Sequence, residues 1–258
     1  MKIIVLMKQV PNKDAVLRIG PDEKWINETD IAQQTNESDG YALEEALRLK
    51  EAKGEGEVVV CSLGPQSAKT VIKDALARGA DRAIHVVSDQ SNKLSPYQIA
   101  KAIADAIRDE KADLVFTGLQ SDDASYGQTG VILAELLGIP HATIVIEVDR
   151  GSLNGSLRVK RELESGWYQW FTYQLPSLLT IQSGISQIRY ASLKGIMAAK
   201  KKEIRDVTPT IETFASAATI EKVYMPLKTK QTQMLGNGDA KAGAIELVEK
   251  LKSDIRVI

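Results

Sequence analysis

The side chains best suited to chemistry lie close together. Gln120, Ser121, Asp122, Asp123, Ser125, Gln128 and Thr129 are interspersed with the small residues Gly118, Ala124 and Gly127 and with Leu119 and Tyr126. They fill a polar loop, Gly118 to Tyr126, between an apolar run, Leu114 to Thr117, and a helical pattern, Gly127 to Leu137, in which Val131, Ile132, Leu136 and Leu137 recur. A polar loop running into a helix start offers unpaired backbone N–H groups and the positive end of the helix dipole, which suits a phosphate or another anion. The loop has neither the GK[ST] of a P-loop nor the GxGxxG of a dinucleotide fingerprint. The same residues also fit an ordinary strand-to-helix connection capped by Ser125 or Asp123. Elsewhere the sequence shows no nucleophile–base pair and no Cys cluster, and its histidines are His85 and His141 alone.

The elements that must position this loop repeat its pattern. Ile3 to Met7, Glu57 to Ser62, Ala83 to Val87 and Leu114 to Thr117 are short apolar runs of the kind found in parallel strands covered on both faces. Helical segments separate them at Asn36 to Ala52, Gln66 to Arg78 and Pro96 to Arg108. In the first, Ala42, Leu43, Ala46, Leu47 and Leu49 form the apolar side, Glu44, Glu45, Arg48 and Lys50 are expected to face out, and Asn36 or Ser38 to cap. Alternation of strand and helix with short links predicts a mostly parallel, doubly wound α/β sheet. Its ligand edge is the carboxyl end of the strands, here Met7-Lys8-Gln9, Leu63-Gly64-Pro65 and the 118–128 loop, with the Asn36 region folding over them. Residues 9–35 read as a polar excursion with a small hairpin near Trp25.

After Pro140 the pattern changes. Thr143 to Val148, Leu157 to Leu163, Trp167 to Tyr173 and Ser177 to Gln182 read as a β-meander that adds antiparallel strands, with a hairpin signal at Asn154-Gly155. The aromatic cluster at 167–173 is expected to pack in the core. Tyr190 to Lys200 reads as a short helix or loop presenting Leu193, Ile196 and Met197, and Lys200-Lys201-Lys202 as a solvated face. Beyond Pro209 the chain is polar, with scattered apolar residues such as Tyr224, Met225 and Leu227, up to an amphipathic helix at Ala242 to Leu251; it reads as an arm lying on another subunit.

The chain has 258 residues, 43% hydrophobic, so a sizeable core can be buried, and its net charge of −1 argues against nucleic acid as the main partner. Cys61, inside Val58-Val59-Val60-Cys61, reads as a buried small hydrophobe, which fits a reducing compartment. MKIIVLMKQV reads as a first strand rather than a signal peptide, and no segment approaches the ~18 apolar residues of a membrane span.

Three colinear pieces resemble the β subunit of electron-transfer flavoprotein (ETF). One is the N-terminal strand ending in Lys8, with NESDGYALEEALRLKE. Another is ALARGADRAIHV at 75–86, with GLQSDDASYGQTG at 118–130. The most specific is VKREL at 159–163, with LPSLLTIQSGISQIRYASLKGIMAAKKK at 175–202. The resemblance implies an adenine-nucleotide-binding (HUP-like) α/β domain over 1–206, with added antiparallel strands, and an extended C-terminal arm over 207–258 that packs on the partner. It implies a heterodimer with an ETF α subunit that holds most of the FAD site, and AMP as a structural cofactor of this chain. Carried over, the AMP contacts are Leu6, Asn36, Glu37, Ser38, Asp39, Leu63 and every residue from Gly118 to Thr129, with Asp122 and Asp123 bracing the loop or the ribose. The segment Arg189 to Lys200 is similar to the family's recognition loop, which docks a flavin-containing dehydrogenase through Leu193, with Arg189, Tyr190, Ile196 and Met197 beside it. Glu162 matches a position that latches the mobile FAD domain. The implied role is electron relay to an ETF-quinone oxidoreductase-type acceptor, not enzymatic catalysis, in the cytoplasm or the mitochondrial matrix.

Electron-bifurcating members, which hold a second FAD in place of AMP, resemble one another in an Asp-Gly-Asp-Thr-Ala-Gln-Val-Gly pattern. This chain has Asp122-Asp123-Ala124-Ser125-Tyr126-Gly127-Gln128-Thr129 instead, which favours AMP. A free-standing adenine-nucleotide sensor of universal-stress type would need a GxxG-type ATP loop and a chain about half as long. An adenylating enzyme would need an SGGxDS-like loop, and the sequence has none.

Overall fold

Continuous apolar runs become the centre of one large sheet in the computed structural model, which describes residues 1–29, 31–151, 155–211, 220–226 and 232–255. The chain begins β1 (Lys2–Leu6), β2 (Gln9–Pro11), β3 (Gln33–Thr35), α1 (Glu37–Lys53), β4 (Glu57–Gly64) and α2 (Lys69–Arg78). It continues β5 (Arg82–Val87), α3 (Pro96–Ile107), β6 (Leu114–Gly118), α4 (Thr129–Leu137), β7 (His141–Asp149), β8 (Ser156–Glu162) and β9 (Tyr168–Gln174). It ends β10 (Ser177–Ile181), α5 (Leu193–Ala199), β11 (Ile204–Val207) and α6 (Ala240–Lys250). The sheet has nine strands in the order β11-β5-β4-β1-β6-β10-β7-β8-β9, and β2 and β3 form a separate antiparallel pair.

The strands from β11 to β7 in that order run parallel, as the strand–helix alternation predicts. Alternate residues of β1 serve opposite faces: Ile3 and Val5 join Leu43, Leu47 and Leu76 of α1 and α2, while Ile4 and Leu6 join Ile103 and Leu133 of α3 and α4. Helices therefore cover both faces of the sheet. Local signals fix their ends: Ser95 and Gln98 form a capping box on α3 with Pro96 in its first turn, and Gly54, at φ 75°, ends α1 in the left-handed conformation that glycine adopts without strain.

Three expectations are corrected. The segment from Thr143 to Gln182 is not a simple meander: β7, β8 and β9 are antiparallel neighbours, but β10 returns to the sheet interior between β6 and β7 and is parallel to both. All of Ser177–Ile181, its polar Ser177 and Thr180 included, is buried, as a strand flanked on both sides inside the sheet must be, whereas β9 lies at the sheet edge. Of the aromatic cluster only Tyr173 packs against the core; the rest does not. Trp167 is 72% exposed, Tyr168, Trp170 and Phe171 are also exposed, and Arg158 and Lys160 of β8 lie over the rings of Trp170 and Tyr168 at 4.5 and 4.6 Å. Glu44 and Glu45 do not face out. Both are buried, Glu45 against Arg150 (2.7 Å) and Glu44 against Arg48 and Arg189. The turn residue Asn154 and the arm residue Leu227 lie outside the described residues.

Contacts divide the chain into a unit of Met1–Arg18 with Ile26–Ile220 and a second of Ile19–Trp25 with Glu221–Ile258. In the second, Gly20 N–H donates to Trp25 O across a turn (2.7 Å), Val223 N–H donates to Glu23 O (2.8 Å), and Asp239 caps α6. The apolar side chains Ile245, Leu247 and Val248 of α6 are exposed.

Candidate functional site

The order β5-β4-β1-β6 places a reversal of strand progression between β1 and β6, where an open α/β sheet forms a crevice at its carboxyl edge. Asp39, in the first turn of α1, bridges the two strand ends. Its Oδ2 accepts from Lys8 N–H (2.8 Å) and its Oδ1 from Gly118 N–H (2.9 Å). Lys8 Nζ reaches across to Asp123 (2.6 Å) and Ser121 Oγ (3.3 Å). Asn36 occupies the N-cap position of α1, but neither it nor Ser38 caps the helix. Asn36 donates to Gln120 O (3.0 Å) and accepts from Asp122 N–H (2.9 Å), while Ser38 Oγ donates to Gln120 O (2.9 Å). The start of α1 thus holds the 118–128 loop, and Leu6 ends β1 while Leu63 is the penultimate residue of the neighbouring β4.

Neither Ser125 nor Asp123 caps α4. The helix begins at Thr129 with Gln128 at its N-cap position and no side-chain cap. Ser125 Oγ donates instead to Ser121 O (3.0 Å), and Asp123 is held by Lys8. The loop reaches α4 through left-handed residues at Ser125 (φ 52°) and Gly127 (φ 63°). The first N–H groups of a helix find no intrahelical acceptor, so the start of α4 presents donors to its surroundings. The two acids that would repel a phosphate point elsewhere, Asp123 to Lys8 and Asp122 to Glu37 N–H (3.0 Å) at the positive end of α1. What remains for a ligand is a donor set: the α4 amides, the Gln128 amide and the Thr129 hydroxyl.

Burial pushes the Asp39 carboxyl up to about 7, against the lowering effect of the Lys8 and Gly118 amides and the Lys8 charge. An acid raised by folding stabilises the native state most below its ordinary range and loses that contribution as pH rises through the folded value. Urea unfolding is therefore expected to show stability falling between pH 3.8, the ordinary carboxyl value, and about pH 7, the folded value, with this slope removed in Asp39→Asn.

The second predicted site is an exposed apolar tip. Tyr190 is 96% exposed, Leu193 84% and Met197 62%, so Leu193 does not close the core. Ser192 caps α5 by accepting from Gly195 N–H (3.0 Å). Arg189 does not present its charge freely, because its guanidinium is held by Glu44 and Glu51 of α1. Glu162 ends β8 and lines a groove of about 700 Å³ together with Leu119, Ile144, Arg161, Trp167 and Gln182. Ile144 there has φ 55°, an uncommon conformation for a β-branched residue, and donates its N–H to Thr180 Oγ1 (3.1 Å). Among the described residues, no group of three or more His, Cys, Asp or Glu is placed to hold a metal, and no helix is long and apolar enough to cross a membrane.

The family model described as "Electron transfer flavoprotein domain" matches residues 24–212. The electron transfer flavoprotein subunit beta of Methylophilus methylotrophus is 32% identical over 262 residues, which cover 98% of this chain and 99% of that protein. The chain belongs to the electron transfer flavoprotein beta-subunit family. The mitochondrial beta subunit of Oryza sativa subsp. indica is 34% identical across 100% of both chains, and the Homo sapiens subunit is 35% identical over 81% of this chain and 82% of its own. For a beta subunit of this family, sequence reasoning singled out the 118–128 loop but not the bond from Lys8 to Asp123 or the grip of Glu44 and Glu51 on Arg189. The only local sign of the latter is the spacing Glu44, Arg48, Glu51 along one side of α1.

Proposed function

We propose that this chain is the beta subunit of a heterodimeric electron-transfer flavoprotein that binds AMP as a structural cofactor. Its ETF alpha partner holds most of the FAD site. A flavin-containing dehydrogenase docks on the Leu193 loop, and electrons pass through the partner's FAD to an ETF-quinone oxidoreductase-type acceptor. The observation that carries the AMP reading is the uncapped start of α4 at the β1–β6 crevice, with both neighbouring acids engaged elsewhere.

The donor set suits a terminal phosphate. The α4 amides, Gln128 and Thr129 would hold it, Leu6 and Leu63 would meet the adenine edge through their backbone, and Asn36 would approach from the α1 start. AMP supplies no redox chemistry; it would tie loop, helix and strand ends into one surface. Leu193, with Tyr190, Ile196 and Met197, would enter a pocket on the dehydrogenase, and Arg189 would set the base of that loop. Glu162, at the rim of its groove, would engage the mobile FAD domain. In this reading the chain is an electron-carrier subunit and not an enzyme in its own right. Cys61 is fully buried and its thiol is pushed up to about 12 by that burial, so it is inert. We place the heterodimer in the cytoplasm or the mitochondrial matrix.

Mass analysis of the denatured heterodimer tests the cofactor assignment. One AMP and one FAD are expected; two FAD would make it the bifurcating form, and ATP on a lone chain would refute the heterodimer. Gln128→Ala with Thr129→Val is expected to weaken AMP binding roughly thirtyfold and so lower the AMP retained, the effect of losing two phosphate hydrogen bonds worth about 1 kcal/mol each. Full AMP retention in that variant would place the phosphate elsewhere.

A further inference from the structure

The exposed apolar segment is mounted on α1 by a clasp that no part of the docking reading requires. Gln187 O accepts from Arg48 Nη2 (2.9 Å). Arg189 then donates its backbone N–H (3.0 Å) and its Nε (2.9 Å) to Glu44 Oε2, and its Nη2 to Glu44 Oε1 (3.1 Å). Two further guanidinium bonds go to Glu51, Nη1 to Oε1 at 2.6 Å and Nη2 to Oε2 at 3.0 Å. A planar guanidinium held by two carboxylates has no free rotation left, and the backbone bond to Glu44 fixes the main chain as well. The next residue, Tyr190, is 96% exposed. The far end of the segment is held on α2. Gly195 lies so close that a Cβ there would strike Ala77 O, and Lys202 Nζ donates to Leu76 O (2.9 Å) and Ala80 O (2.5 Å).

A buried carboxylate needs a reason to stay charged. Burial raises the Glu44 carboxyl, but hydrogen bonds from Arg189 and Arg48 outweigh it and hold it below the usual range. Glu44 is 2% exposed, with its charge directed at the one segment that carries the apolar knob.

We propose that Glu44 and Glu51 are positioning residues for the electron donor: by clasping Arg189 they hold Tyr190 to Met197 in one preformed conformation, so that the dehydrogenase binds without having to order the loop. This rests on the docking role proposed for Leu193. A loop that must be ordered on binding loses affinity, whereas turnover after binding is untouched.

The test uses the complete heterodimer and a flavin dehydrogenase chosen because it reduces the unmodified protein. In Glu44→Gln, backbone amides of residues 189–193 are expected to exchange hydrogen roughly tenfold faster. The KM for the dehydrogenase should rise roughly tenfold with kcat within about twofold. Glu51→Gln, at a side chain that is 57% exposed and whose loss cannot unfold the protein, should give the same pattern at about threefold. Arg189→Lys, which keeps the charge but not the fork, should resemble Glu44→Gln. Unchanged exchange in both glutamine variants overturns the clasp. A KM that rises in Leu193→Ala but not in Glu44→Gln overturns its part in docking. A KM unmoved by Leu193→Ala refutes the docking reading itself, and the inference falls with it.

Discussion

Gly118→Ala is expected to destabilise the protein by about 3 kcal/mol and to abolish nucleotide retention, the upper range for overpacking a closed site. Gly118 is not in the left-handed region, so its backbone accepts alanine without conformational strain; the obstacle is space. A Cβ there would land on Ser38 Oγ and Asp39 Oδ1 and lie 2.9 Å from Asp39 N. All three belong to the first turn of α1, where Ser38 is 4% and Asp39 6% exposed. The helix cannot retreat, because Leu43, Leu47 and Leu49 anchor it in the core. Either the Asp39 bond to Gly118 N–H breaks or the loop moves away from Asn36 and Ser38, and both outcomes disassemble the crevice. Gly138→Ala provides the contrast. At φ 69°, with nothing within 4 Å of a Cβ, it should cost about 1 kcal/mol from backbone strain alone and leave the nucleotide in place. Chemical unfolding and nucleotide content after denaturation check both. Full AMP content in Gly118→Ala would place the ligand away from this crevice.

The scaffold was legible because its strands are covered on both faces. An unbroken run such as Val58-Val59-Val60-Cys61 has few other uses, and the helices between such runs show their buried stripe directly. The site loop was legible for a related reason, since polar residues concentrated at a strand end and a helix start have no core to serve. Partners distant in sequence were not. Glu44 and Glu45 look like solvent-facing residues of an amphipathic helix, yet the arginines that bury them lie 145 and 105 positions away. A run like Ser177–Ile181 reveals that both faces are covered but not which strands flank it, so its insertion between β6 and β7 had no local signal. The aromatic strand β9 misled because composition suggests burial while position in the sheet decides it. Nothing among the described residues pairs beyond β9, and cations from β8 cover its rings.

Leu193→Ala is expected to raise the KM for a flavin-containing dehydrogenase by about thirtyfold while leaving kcat, FAD and AMP contents and stability nearly unchanged. A leucine fully buried in a partner's pocket contributes about 2 kcal/mol, and an anchor at the centre of an interface keeps most of that value. In the free chain Leu193 is 84% exposed and stabilises little, so its loss should shift unfolding by no more than about 0.5 kcal/mol. That separation of effects distinguishes a contact residue from a structural one. Ile196, at 45% exposure, is already half-shielded and should cost less when truncated. Leu193→Glu should cost more than alanine, because a carboxylate must be desolvated to enter an apolar pocket. The pocket's response also reports its chemistry: if Leu193→Met restores near-normal KM, shape-tolerant apolar burial is what the donor recognises. An unchanged KM in both Leu193→Ala and Leu193→Glu would remove the exposed tip of α5 from the electron-accepting surface altogether.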